Sequence, residues 1–203
     1  MSAPGYPAQW WTPIDDPNKP EWEILPQAAA AGEVILSKRN ELGLLSNFSH
    51  TPFEFHGQRY NSIEGFWQMM FYPESPDVLA KDERTNFPGI QWPHTRQEVS
   101  QMESHEAFAA GMIGFENMRA MGVNYVTFEG RKYEYWVTTK NEHYALIVES
   151  MWAKLKQNPK VREVLLATGD LKLRADHYEP VDTPPSWKYY DIWMDIRAEM
   201  TKR

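Results

Sequence analysis

The sequence predicts an α+β fold, rich in aromatic residues and organised around a single core. Three observations point there. The stretch from Asn141 to Gln157 repeats apolar residues (Tyr144, Ile147, Val148, Met151, Trp152, Leu155) at three- and four-residue steps, the stripe of an amphipathic helix. Residues 52–60 and 123–138 instead form short β-rich segments broken at His56-Gly57 and Glu129-Gly130, the pattern of small antiparallel hairpins. With 203 residues, of which 42% are hydrophobic, one well-buried domain fits and two would be crowded.

The elements follow in order. Residues 1–31 hold six prolines, the tryptophans Trp10, Trp11 and Trp22, and the alanine run Ala28 to Ala31. Proline at that density blocks both helix and central strand and leaves an extended arm. Three tryptophans need apolar cover, so the arm is expected to pack on its own domain or on a partner protein. The body, residues 32–203, opens with a short strand at Glu33 to Leu36. The 52–60 hairpin follows, and Asn61-Ser62 breaks into a helix beginning at Ile63. Residues 73–95 carry Pro73, Pro76, Pro88, Gly89 and Pro93 and read as loop. A helix is expected from about Thr95 to Asn117, with Val99, Met102, Ala109 and Ile113 at compatible spacing. After the second hairpin and the 141–157 helix, Asn158-Pro159 ends one helix and starts the next, which carries Val161, Val164, Leu165 and Leu166 and stops at Gly169. A short strand, Leu171 to Leu173, leads to His177-Tyr178. The Pro184-Pro185-Ser186 corner then caps a last helix through Trp187, Ile192, Trp193 and Ile196.

Composition narrows the function classes. Without cysteine there is no disulfide, thiolate nucleophile or cysteine-ligated metal. A net charge of −7 disfavours non-specific duplex binding, which draws its affinity from Lys and Arg, though one anionic nucleotide can still be accommodated in a pocket. No apolar run reaches the ~20 residues needed to span a bilayer, so no membrane partner is expected. The opening residues lack the basic and apolar regions of a signal peptide, which makes the cytoplasm the expected compartment. The six histidines are scattered and no phosphate-cradling glycine loop or nucleophile elbow is present; neither a metal nor a cofactor is expected.

One constellation goes further. Leu45-Ser46-Asn47-Phe48, Pro52-Phe53, Gly57, Tyr60, Ser62-Ile63-Glu64 and Phe66-Trp67 stand at fixed gaps. The stretch resembles the signature of the NADAR family, roughly LSNF, a short gap, PF, then G-x-x-Y-x-S-[VI]-E followed by aromatics. Ala153 to Pro159, Leu165 to Gly169 with Leu171, and the closing Trp187 through Trp193 to Arg197 are similar to later parts of that family. The likeness covers residues 33–200 and is weakest in the middle. It implies one compact, mostly helical α+β domain with a small antiparallel sheet, and an N-glycosyl hydrolase that cleaves a bond from ribose to a base. The substrates implied are ADP-ribose on guanine bases, free or in nucleic acid, or a ribosylamino-pyrimidine intermediate of riboflavin synthesis. Glu64 is then the catalytic candidate, because departure of the base leaves an oxocarbenium-like ribose that a nearby carboxylate stabilises. Phe48, Trp67 and Trp187 offer stacking faces, Asn47 a hydrogen bond to ribose or base, and His177 and Tyr178 further pocket contacts.

Each candidate has an architectural alternative. With Asn61 as helix N-cap, Glu64 at the third helical position closes a capping box and favours the helix dipole. Phe48 and Trp67 serve equally well as core aromatics, Asn47 closes a turn, and Trp136, between two strands, is expected in the core. The chain also departs from the family pattern. Gly65 stands where many members have His, Phe71 replaces a lysine, and Ala110-Gly111-Met112-Ile113-Gly114 replaces A-K-K-x-G. A W-G-D-G loop of one branch gives way to Val181 through Pro185. Lys81, Lys132 and Lys140 are candidates to replace the missing cations. Two rival functions follow: a catalytically silent ADP-ribose-binding module, and an interaction protein that docks through the residue 1–31 arm.

Overall fold

A computed structural model describes residues 5–75, 77–78 and 82–202, in an α+β arrangement that is mostly helical. Its elements are β1 (Glu33–Ile35), β2 (Phe53–Phe55), β3 (Gln58–Tyr60), α1 (Ile63–Met69), α2 (Arg96–Gln101), α3 (Ser104–Met121), β4 (Tyr125–Phe128), β5 (Arg131–Glu134), α4 (Glu142–Gln157), α5 (Pro159–Ala167), β6 (Lys172–Arg174) and α6 (Tyr189–Thr201). Among the described residues no helix is long and apolar enough to cross a membrane.

The two expected hairpins form, β2 with β3 and β4 with β5, both antiparallel. In each turn a left-handed residue, His56 or Glu129, precedes a left-handed glycine, the backbone pair that suits the twist of a tight hairpin. The turns also meet, with His56 Nδ1 2.9 Å from Glu129 Oε2. A third pair is parallel and joins the two ends of the body: β1 lies beside β6 with Val34 opposite Leu173. The residues that leave the C-terminal ends of these two strands, Ser37-Lys38 and Ala175-Asp176-His177, therefore emerge side by side.

Helix boundaries depart from the sequence reading in three places, each for a local reason. The expected 95–117 helix is two helices. Thr95 caps α2 through a capping box with Glu98, and the chain turns extended at Met102 before Glu103 N–H donates to Glu106 Oε2 at the start of α3. That second helix runs on to Met121, where Gly122 ends it in the left-handed region. Trp187 is not in the last helix; Pro184-Pro185 set a separate 3-10 turn at Pro185–Trp187 before α6 begins.

The core is aromatic, with Phe53, Phe55, Tyr60, Phe66 and Phe128 packed ring against ring between the hairpins and α1. Phe71 is buried among Trp67, Phe115 and Tyr135. Below it a buried Arg84 chelates Asp82 and bonds the Met70 carbonyl and Thr127, pinning the proline-rich 73–95 segment to β4. At the far end Arg197 donates to Thr168 Oγ1 and the Leu171 carbonyl, locking α6 onto the α5–β6 corner.

The arm packs on its own domain. Trp10 and Trp11 are buried, their indole N–H groups bonded to Glu41 Oε1 (2.6 Å) and the Glu33 carbonyl (2.9 Å). It is not uniformly extended, because 3-10 turns form at Ala8–Trp11 and Pro26–Ala28, where a proline sets the first turn or precedes it.

Candidate active site

The LSNF segment is where four helices meet. It follows a 3-10 turn at Glu41–Leu45, and each of its carbonyls is bonded by a different helix. Trp193 of α6 donates to the Leu45 carbonyl (2.6 Å) and Lys154 of α4 to that of Ser46 (2.9 Å). The Glu64 N–H of α1 donates to Asn47 (3.0 Å), and the Ser104 hydroxyl of α3 to Phe48 (2.8 Å). Irregular backbone at the centre of a fold needs such partners, since an unbonded buried carbonyl costs about 1–3 kcal/mol. Lys154 is fully buried, and burial pushes its ammonium down to about 7.

This scaffold fixes Glu64. Ser62, not Asn61, is the N-cap of α1, its hydroxyl accepting from Gly65 N–H at 3.0 Å. Glu64 is thus the second helical residue and closes no capping box, although it stays in the first turn, where a carboxylate favours the helix dipole. Its carboxylate is free to turn inward, where Oε1 accepts from Gln68 Nε2 at 2.7 Å. The side chain is 6% exposed. Burial raises its acid to about 7, against the Gln68 hydrogen bond and the charges of Lys38 and His177, which pull it down. Gln68 in turn leans on α3. A Cβ at Gly111 would stand 1.6 Å from Gln68 Oε1, so the amide fills the space a side chain there needs. A Cβ at Gly65 would press on the Ser100 carbonyl at 3.0 Å, so the helix packs closely there only because the residue is glycine.

Lys38, which sequence reading did not single out, is a cation whose charge acts on Glu64. Lys38 Nζ bonds Asp176 Oδ2 at 2.6 Å, and His177 Nδ1 lies 3.0 Å from the other carboxylate oxygen. Burial alone would raise Asp176, but the bonds from His177 and Lys38 outweigh it and hold the carboxyl below the usual range. The Lys38 ammonium also stands 5.4 Å from the centre of the Phe48 ring and 5.5 Å from that of Trp22. Phe48 continues outward to His105 and Phe108. Two polar atoms in this neighbourhood are buried with no partner among the described residues: Asn47 Oδ1, and the hydroxyl of Tyr189, whose ring stacks on His177.

Of the residues singled out from sequence, Phe48 and His177 lie about the Lys38–Asp176 pair, Glu64 feels the charges of Lys38 and His177, and Asn47 is joined to Glu64 through its backbone carbonyl. Tyr178 points away, 77% exposed. Trp67 and Trp187 come together, at 5.7 Å, but in a second aromatic group with a fully buried His143. Trp136 belongs to this group too and is half exposed against the edge of Trp187, not in the core, because it lies past the end of β5. Lys132 and Lys140 are engaged at the surface by Glu83 and Asp195; Lys81 lies outside the described residues. A depression of about 250 Å³ between Lys140, Tyr144, Pro185, Asp191, Met194 and Asp195 shares no lining residue with the Glu64 group. Among the described residues no three His, Asp or Glu side chains converge as metal ligands.

Lys38 and Asp176 are 138 positions apart, and only the parallel pairing of β1 with β6 joins them. Their signal in sequence is weak: a polar residue just past each of two short apolar strands, at the strand ends where parallel sheets place their sites. Comparison with protein-family models gives no match, and comparisons with curated proteins and with solved structures give no significant one.

Proposed function

We propose that this protein is an N-glycosidase acting on an ADP-ribose-type N-riboside, with Glu64 as its catalytic carboxylate. The observation that carries the reading is a buried carboxyl raised to about 7 that feels the charges of Lys38 and His177, with the Phe48 ring 5.4 Å from the Lys38 ammonium. In the proposed reaction the bond from ribose C1′ to the base nitrogen breaks with its electron pair going to the base. The Glu64 carboxylate stabilises the cation left at C1′ and takes a proton from the water that adds there; the base nitrogen is protonated from solvent. A carboxyl titrating near neutrality suits a general base, since it is basic enough to accept that proton and still largely ionised above 7. Asn47 Oδ1 is an unused acceptor for a ribose hydroxyl, Phe48 a stacking face, and Lys38 the positive charge for a phosphate. A cytoplasmic setting is part of the proposal.

The test is release of free ADP-ribose from ADP-ribosylated guanine. Wild type is expected to turn over, and Glu64→Gln, which keeps shape and the Gln68 contact, to lose at least 100-fold. A variant as active as wild type removes Glu64 from the chemistry.

A second reading, a silent ADP-ribose-binding module, is favoured by the packing at Phe71 and Gly111, which leaves no room for a lysine at either position. Calorimetry separates the two: binding without turnover supports the module, and turnover excludes it.

A further inference from the structure

The arm lies outside the family-like region, yet its residues Trp22 to Ile24 run beside Lys38, Asp176 and His177. Ile24 N–H donates to the Asp176 carbonyl at 2.7 Å, and Glu23 forms an antiparallel bridge with His177. The buried Glu23 carboxylate receives two hydrogen bonds from Arg39 (2.8 and 2.6 Å), whose guanidinium also pairs with Asp16. Lys19 closes back onto the Glu23 carbonyl at 3.2 Å. This is an anchored stretch, and between its anchors Trp22 leaves 51% of its surface exposed. A large apolar ring on a rigid segment is left open at the cost of burial it does not gain. Its open neighbourhood is specific: Trp22 and Phe48 flank one ammonium, that of Lys38, at 5.5 and 5.4 Å.

We propose that the arm forms one wall of the binding site and that Trp22 is a substrate-binding residue, stacking on the planar base of a purine nucleotide whose phosphate lies at Lys38. This deepens the N-glycosidase reading and rests on it. The ring supplies the flat face and Lys38 the complementary charge. Beside Phe48, the Asn47 carbonyl accepts from the Glu64 N–H at 3.0 Å, which links this wall to the proposed catalytic carboxylate. The arm thereby acts within the site instead of as a tether for another protein.

Binding of two probes to the full chain tests this, ADP-ribose with its base and ribose 5-phosphate without one. Trp22→Ala is expected to weaken ADP-ribose by roughly 5- to 100-fold, the range one stacked base supplies, and to change ribose 5-phosphate less than about twofold. Trp22→Phe should stay within roughly threefold of wild type for ADP-ribose, since a smaller ring still stacks. In protein labelled with 5-fluorotryptophan, the Trp22 resonance, assigned by its loss in Trp22→Phe, should move on adding ADP-ribose. Unchanged ADP-ribose affinity in Trp22→Ala, equal loss of both probes, failure of the phenylalanine variant, or an unmoved resonance each overturns the proposal. Turnover that needs Glu64 but ignores Trp22→Ala sinks the role of Trp22 alone. A wild type that binds no ADP-ribose sinks this proposal and the function beneath it.

Discussion

Glu64 is a carboxyl whose folded environment prefers the neutral form, and this has a consequence for stability. Its acid is raised from 4.5 to about 7, so the folded chain binds its proton more tightly than the unfolded chain does. The stabilisation is full below about 4.5 and is lost as pH rises through 7. Between pH 5 and 8 it amounts to about 2–3 kcal/mol, an upper bound for a side chain this buried. The fully buried His143 works the other way, because burial lowers it to about 3 and stability falls as pH drops below its ordinary value. Comparing wild type with Glu64→Gln cancels that opposing effect. In urea unfolding, wild type is expected to lose about 2–3 kcal/mol relative to the variant on going from pH 5 to pH 8; parallel pH curves would mean the carboxyl titrates normally. At this scale Glu64, Asn47 and Phe48 were legible because a fixed-gap motif carried them. Lys38 and Asp176 were not, since their meeting depends on which strands pair.

At the scale of elements, the site is a consequence of α1 lying against α3 and under the LSNF carbonyls. The α1–α3 contact is tight where Gln68 fills the place of a side chain at Gly111. Gly111→Ala is expected to cost about 1–3 kcal/mol by overpacking, because Gln68 must leave Glu64. Gln68→Ala opens that space, so the double variant should be less destabilised than the sum of the singles, with a coupling of about 0.5–3 kcal/mol. Additive costs in a double-mutant cycle would show that the two residues do not press on each other. The hairpins and the helices α4 and α5 could be read from periodicity and turn residues. The break between α2 and α3 could not, since apolar spacing continues across Met102 and the interruption comes from a cap at Glu103.

Across the whole molecule, the arm is buried in the core at Trp10 and Trp11 and reaches the ends of β1 and β6 through Trp22, Glu23 and Ile24. Trp10 is 1% exposed and bonded to Glu41, so Trp10→Ala is expected to cost about 3–5 kcal/mol. For a chain of this length that is a fall of roughly 6–20 °C in Tm; a shift under a few degrees would mean the arm is only loosely attached. Its tryptophans made burial of the arm foreseeable, whereas the parallel β1–β6 closure that decides where the arm lies had no local signature in strands of three residues. The proposed function turns on one carboxylate, Glu64, and the pH dependence of ADP-ribose release from ADP-ribosylated guanine tests that role most directly. The expected wild-type rate rises through a midpoint near 7, while Glu64→Gln is at least 100-fold slower and lacks that rise. A flat wild-type profile, or the same profile and rate in the variant, would contradict it.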